Sequence, residues 1–131
     1  MMWQARLVRF SHILSLWLFW PGMALVTWGE LTPHPPELGG MLFWDKAQHL
    51  TAYFGLGSMA TLALGLRPKL AWAISGIVLF GGVLEILQGI TGRDPDIFDF
   101  LANTIGVFAG LTTATLFLWL LGSLVAIPGT D

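Results

Sequence analysis

The sequence predicts an all-α protein in which four helices form a transmembrane bundle. Hydrophobic residues make up 55% of the 131 residues and charged residues only 11%, and the mean hydropathy is +0.73. A water-soluble domain carries about 25% charged residues, so this composition is typical of a membrane protein. Four apolar stretches long enough to cross a bilayer are separated by polar segments rich in proline and glycine. We interpret residues 1–131 as a single domain with spans at about 7–28, 45–66, 70–90 and 98–121.

The first apolar stretch, residues 10–28, could be a signal peptide or a spanning helix. It is longer than the hydrophobic region of a signal peptide, and residues 22–27 offer no A-x-A cleavage motif. We therefore predict a spanning helix, in which His12 and Ser15 are packing or interfacial groups rather than ligands.

Residues 29–44 contain three prolines and three glycines, a density of helix breakers that predicts a loop. We expect Glu30, His34 and Glu37 to be solvated side chains of this loop. Asp45, which follows it, is a candidate N-cap of the second helix.

The second and third spans are predicted to form an antiparallel hairpin, because only residues 67–69 separate them. Residues 91–97 form a short polar loop before the fourth span, and the tail at 125–131 is expected to fray. Small residues in the second span and the Gly106-x-x-x-Gly110 pair in the fourth favour close helix packing. We expect these glycine faces to pack within the chain, although a membrane protein partner or a second copy of the chain remains an alternative.

The basic residues are distributed asymmetrically between the two ends of the predicted bundle. Four of the six lie at one end: Arg6, Arg9, Arg67 and Lys69. Lys46 and Arg93 lie at the other end. Because cytoplasmic flanks accumulate Lys and Arg, we predict that both termini are cytoplasmic. Seven of the eight acidic residues then fall on or near the outer side, so the polar chemistry is predicted to face away from the cytoplasm.

Polar residues at the outer ends of three spans define a candidate binding site. Its members are Asp45, Lys46, His49, Tyr53, Glu85, Gln88, Arg93, Asp99 and Asn103. Asp45, His49 and Tyr53 recur every fourth residue and share one stripe of a helix. The polar pairs of the third and fourth spans are three and four residues apart, so each pair also occupies one face. His49, Glu85 and Asn103 fall at comparable depth, roughly 5–10 Å below the interface. Polar groups are costly in hydrocarbon and by default indicate function.

These residues resemble the motifs of the VanZ-like membrane proteins. The matching pattern is Asp45-Lys46-x-x-His49-x-x-x-Tyr53, Glu85-x-x-Gln88, Arg93 six residues before Asp99, and Asn103-x-x-Gly106, within about residues 44–110. The resemblance implies a small integral membrane protein of the cell envelope with a role like that of the founding member, which is associated with resistance to the glycopeptide teicoplanin. It does not imply a reaction. Asp94 and Asp96 depart from the family's pattern, so the charge around Arg93 is expected to differ.

Three interpretations of the site remain open. In the first, Lys46 and Arg93 hold the phosphate or carboxylate of a membrane lipid or lipid-linked envelope intermediate, while Gln88 and Asn103 offer amide groups. In the second, the polar groups only fix the packing of the helices, since charges in hydrocarbon need partners in any case.

The third interpretation is an envelope hydrolase or transferase. His49 or Glu85 would be its general base, or His49, Glu85 and Asp99 would hold a divalent metal ion. The chain has no cysteine, no convincing serine nucleophile and no H-E-x-x-H motif. The sequence therefore predicts neither a metal nor a cofactor, and no Lys/Arg run indicates nucleic acid.

Overall fold

The structure is a computed structural model that describes residues 2–33 and 42–122, with the backbone alone for residues 42–44. Within these residues the chain consists of four α-helices and no strand. The helices are α1 (Met2–Leu31), α2 (Leu42–Leu64), α3 (Pro68–Thr91) and α4 (Ile97–Leu120). The predicted all-α fold with four helices is thus confirmed. The predictions for His34, Glu37 and the tail at 125–131 lie outside the described residues.

The helix boundaries differ from the predicted spans by one to five residues, and two of these differences change the assignment of a site residue. α1 continues through Gly29 and ends at Leu31, just before Pro33. A single glycine does not end a helix, because no proline clashes with the preceding turn until residue 33. Glu30 is therefore helical and buried, and its prediction as a solvated loop residue is wrong. α2 begins at Leu42, so Asp45 lies in its first turn and is not its N-cap.

α2 and α3 form the predicted hairpin around a tight turn. Gly65 adopts a left-handed conformation (φ 64°), which a residue without a Cβ reaches at little cost. Its N–H donates to the carbonyl oxygen of Thr61 at 2.8 Å and satisfies one of the last carbonyls of α2. Pro68 begins α3, where its missing N–H would have no partner in the helix.

α2 and α4 pack backbone against backbone through glycine. A Cβ added at Gly106 would overlap the carbonyl oxygen of Leu50, and one at Gly110 would overlap that of Phe54. Gly57 meets the backbone of α4 in the same way. These faces are consequently filled by the chain itself, as the sequence led us to expect.

The contacts between α2 and α4 advance in the same direction along both helices. Lys46 contacts Asp99, His49 contacts Asn103, and Ser58 donates to the carbonyl oxygen of Gly110. The two helices are therefore parallel, and α3 returns the chain between them.

The outer surface of the bundle is strongly apolar. Large residues such as Trp17, Trp72 and Ile90 are exposed, and the exposed fraction of Trp72 is 82%. Among the described residues, α1, α3 and α4 are long and apolar enough to cross a membrane. α2, which carries the polar stripe, is not among them. Exposed apolar side chains on long helices are compatible with a multi-pass membrane protein.

Candidate functional site

The predicted site residues lie at one end of the bundle, and seven of them form a connected set of contacts. The seven are Asp45, Lys46, His49, Glu85, Arg93, Asp99 and Asn103. Tyr53 and Gln88 are buried on the same helices, one turn from His49 and Glu85. Glu30 and Asp96, which the sequence-based prediction left out, join the set. All four helices thus contribute, whereas the prediction had three.

His49 lies at the centre of the site, with carboxylates on both sides of its ring. Nδ1 lies 3.0 Å from Oδ1 of Asn103, and because an amide oxygen can only accept, the ring N–H donates this bond. Nδ1 is also 3.5 Å from Oε1 of Glu30 and 4.0 Å from Oε1 of Glu85. On the other side, Nε2 lies 3.9 Å from Oδ2 of Asp99 and 4.0 Å from Oδ1 of Asp45.

Lys46 links α2 to the start of α4 through two carboxylates. Its ammonium lies 2.7 Å from Oδ2 of Asp96 and 2.8 Å from Oδ1 of the buried Asp99. Asp96 is the N-cap of α4 and accepts from the N–H of Phe98 at 2.8 Å. The Lys46 ammonium, helped by the Phe98 N–H, holds the pKa of Asp96 below its usual range, because both favour the charged carboxylate.

Arg93 joins the end of α1 to the end of α3. Its guanidinium donates from Nη1 to the carbonyl oxygens of Glu30 (3.0 Å) and Gly29 (3.5 Å), which the end of a helix leaves without intrahelical partners. Nη2 lies 3.6 Å from Oδ1 of Asp45. Gly92 caps α3 in a left-handed conformation (φ 86°) and so turns the chain to place Arg93 there.

Several buried polar atoms of the site have no hydrogen-bond partner within the described part of the chain. They are both carboxylate oxygens of Glu30, Oε1 of Glu85, Oη of Tyr53, Nε2 of Gln88 and Nδ2 of Asn103. The other oxygen of Glu85 accepts from the N–H of Asp96 at 3.2 Å. Buried polar groups are nearly always paired with protein, water or an ion, so these atoms are candidates for such a partner.

A cavity of about 660 Å³ opens between α1 and α2 beside this cluster. We call it the α1–α2 cavity. Its polar end is formed by Glu30, Asp45, His49 and Arg93. Below them the walls are mainly apolar, with Leu25 and Val26 on α1 and Leu56 and Met59 on α2, and Gly22 and Gly55 leave the space between. His49 and Met59 are ten residues apart, so the part of the cavity below His49 extends roughly 15 Å along α2.

The residues that could hold a metal ion fall into two groups that share His49. One is Glu30, His49 and Glu85, and the other is Asp45, His49 and Asp99; in each, the ligand atoms lie within 4.8 Å of one another. The set expected from the sequence, His49 with Glu85 and Asp99, is therefore divided between the two sides of the imidazole ring.

Glu30 and Asp96 carried sequence signals that the prediction did not use. Val8, Ser15 and Glu30 are seven and fifteen residues apart, so a continuous helix places them on one face, and all three are buried. Asp96 directly precedes an apolar run, the usual position of an N-cap acid.

Lys46 and Arg93, which the sequence-based prediction grouped together, have different environments. The residues that line the α1–α2 cavity include Arg93 but not Lys46.

Comparisons with known proteins add no identification. No family model, curated protein or solved structure matches this chain. The resemblance to the VanZ-like proteins therefore stays a prediction that depends on the motif residues.

Proposed function

We propose that this chain is a multi-pass membrane protein of the cell envelope that binds a lipid-linked or other anionic envelope molecule in the α1–α2 cavity. The observation that carries the proposal is the division of this cavity into a polar end and apolar walls. The part below His49 is roughly 15 Å long, half of a hydrocarbon core of about 30 Å, so an acyl or isoprenoid chain would lie there within one leaflet. The resemblance to VanZ-like proteins adds a role akin to glycopeptide resistance.

Arg93 is the residue that we expect to contact an anionic headgroup. It lines the cavity, its side chain is 16% exposed, and its contact with Asp45 at 3.6 Å is longer than a charge-assisted hydrogen bond. A phosphate or carboxylate would accept two parallel N–H bonds from a planar guanidinium. We do not expect Lys46 to bind the headgroup, because its ammonium is already paired with Asp96 and Asp99.

The proposal places all four helices across the membrane with both termini in the cytoplasm. α2 is less apolar than the others, but its parallel packing against α4 supports its crossing the same layer. The site would then face the extracytoplasmic side, where lipid-linked envelope intermediates are used.

The alternative function is a structural or partner-binding membrane subunit whose polar network only fixes helix packing. The ion pairs of Lys46 and the contact between Arg93 and the end of α1 favour it, because they join different helices. It leaves the unpartnered atoms of Glu30 and Glu85 and the α1–α2 cavity without a role.

A substitution that fills the α1–α2 cavity distinguishes the binding function from the structural alternative. A Cβ at Gly55 meets only the end of Met59, at 3.8 Å, so Gly55→Leu would fill the cavity without entering the core. Gly76 on α3 is exposed with nothing within 4 Å, and Gly76→Leu is the matched control. Each variant is purified from native membranes in mild detergent, and the lipids that remain bound are measured by mass spectrometry.

We expect Gly55→Leu to retain at least tenfold less of one specific lipid than the original chain and Gly76→Leu do. Equal lipid in all three proteins would reject the binding function. The structural alternative predicts that Arg93→Ala lowers thermal stability while the bound lipid stays unchanged.

A further inference from the structure

We propose that Glu30, His49 and Glu85 form a binding site for a divalent transition-metal ion such as Zn²⁺ or Mn²⁺. These residues come from the end of α1, the first half of α2 and the end of α3, and they are exposed to only 6%, 5% and 6%. We call them the Glu30–His49–Glu85 cluster. The metal site goes beyond the proposed lipid binding and does not depend on it.

The unpartnered oxygens of the cluster are the first argument. Both oxygens of Glu30 and Oε1 of Glu85 are buried and accept no hydrogen bond within the described residues. Two of these oxygens lie 3.5 and 4.0 Å from Nδ1 of His49, which places them around a common point. Buried carboxylates are normally paired or coordinate a metal, and a metal ion at this point would compensate both glutamates.

The separations fit a small divalent ion. Metal–ligand bonds of about 2.0–2.2 Å place neighbouring ligand atoms roughly 3.0–3.5 Å apart. The two carboxylate oxygens lie 3.5 and 4.0 Å from Nδ1 of His49, and all three ligand atoms lie within 4.8 Å of one another, so rotations of the glutamate side chains would bring them to a common ion. Oδ1 of Asn103, at 3.0 Å from Nδ1, is placed to become a fourth ligand atom.

The carboxylates on the two sides of the His49 ring differ in their cationic partners, and this difference favours a metal ion on the side of Glu30 and Glu85. On the other side, Asp99 is paired with Lys46, and Asp45 lies beside Arg93. Neither of these cations forms an ion pair with a carboxylate of the cluster in the described structure. One divalent ion would neutralise both glutamates, which is what two buried charges need in a low-dielectric site.

The surroundings of the ring also suit a metal ligand. A metal on Nδ1 would replace the proton that Nδ1 donates to Asn103, and the neutral ring would carry its proton on Nε2 instead, where Asp99 and Asp45 lie at 3.9 and 4.0 Å and would accept it. Metal-ligating histidines almost always donate their other N–H to such an acceptor. One imidazole nitrogen with carboxylate and amide oxygens suits Zn²⁺ or Mn²⁺ better than a soft copper site.

Metal binding is measured on the full chain in detergent, without lipid added. The protein is stripped with a chelator, dialysed against Zn²⁺ or Mn²⁺, and analysed for bound metal by mass spectrometry and by titration calorimetry. Glu30→Gln and Glu85→Gln keep the shape of the side chain and remove its charge. Asp94→Asn removes an exposed carboxylate from the same end of the bundle and is the control.

We expect one metal ion per chain in the original protein and in Asp94→Asn, with affinity at least tenfold weaker in both glutamine variants. X-ray absorption of the bound ion should show one nitrogen among oxygen ligands, and the metal should raise the unfolding temperature. Absence of a stoichiometric ion in the original protein would overturn the site, as would unchanged affinity in Glu30→Gln. Because no lipid is measured, this result stands apart from the outcome for Gly55→Leu.

Discussion

Lys46 is the counter-charge of a buried carboxylate. The side chain of Asp99 is 6% exposed and lies 2.8 Å from the Lys46 ammonium, which is itself 35% exposed. The ion pair between Lys46 and Asp96 contributes little to the free energy of unfolding, because both side chains are partly exposed and water screens their charges. The ion pair with Asp99 contributes more to stability, since loss of the ammonium would leave a buried carboxylate without a counter-charge.

Lys46→Met should therefore destabilise the protein by about 1–3 kcal/mol, the usual cost of a stranded buried polar group. Thermal unfolding in detergent measures the change, with Lys69→Met at the opposite end as the control. Adding Asp99→Asn to Lys46→Met should recover part of the loss, with a coupling energy of about 0.5–3 kcal/mol. Additive effects of the two substitutions would show that this pair does not hold α2 to α4.

The residues around His49 show how far side-chain positions can be predicted. Helical spacing placed His49, Glu85 and Asn103 at one depth, and the structure brings their polar atoms within 4.0 Å of one ring nitrogen. Spacing could not distinguish the two sides of the imidazole, because this depends on how α1 and α3 are rotated against α2. The assignment of Glu30 failed for another reason: a glycine beside it was taken as the end of the helix.

At the scale of the helices, the glycines of α4 set the distance to α2. Gly110 lies so close to the backbone of α2 that a Cβ would overlap the carbonyl oxygen of Phe54. This separation puts Lys46 and His49 within reach of Asp99 and Asn103. Close packing of this kind is the main source of helix association where lipid removes the hydrophobic driving force.

Gly110→Ala should destabilise the bundle by about 1–3 kcal/mol, because the added methyl group forces the two backbones apart. Gly76→Ala on the exposed face of α3 is the control and should be neutral or stabilise by up to about 1 kcal/mol, the gain in helix propensity. Denaturation of both variants in mixed detergent gives the comparison. A stabilised Gly110→Ala variant would mean that α2 and α4 are farther apart than described.

The helices themselves were largely predictable, and their ends were less so. Apolar runs of about twenty residues and breaker-rich segments sufficed for the number and order of the helices. The start of α2 was misplaced because Asp45 suits both an N-cap and the first turn, where a carboxylate also favours the positive end of the helix dipole. Neither sequence pattern nor hydropathy reports which of the two positions an acid occupies.

For the whole molecule, the basic residues are distributed unequally between the two ends of the bundle. At the site, Lys46 and Arg93 lie against carboxylates and main-chain carbonyls. At the other end, Lys69 is exposed in the first turn of α3, and Arg67 lies in the preceding turn. Arg6, Arg9, Arg67 and Lys69 at that end outnumber the two basic residues at the site, and this count is the basis of the expectation that this end is cytoplasmic.

The orientation can be tested directly because the chain has no cysteine. Asp94→Cys places a thiol in the exposed loop at the site, and Lys69→Cys places one in the exposed turn at the opposite end. In intact cells, a membrane-impermeant maleimide should label Asp94→Cys at least tenfold more than Lys69→Cys, and lysis should make the two equal. Preferential labelling of Lys69→Cys would invert the protein and place the α1–α2 cavity in the cytoplasmic leaflet, where it would meet lipid intermediates before their export. The lipid lost in Gly55→Leu would then have to be one that is assembled on the cytoplasmic side.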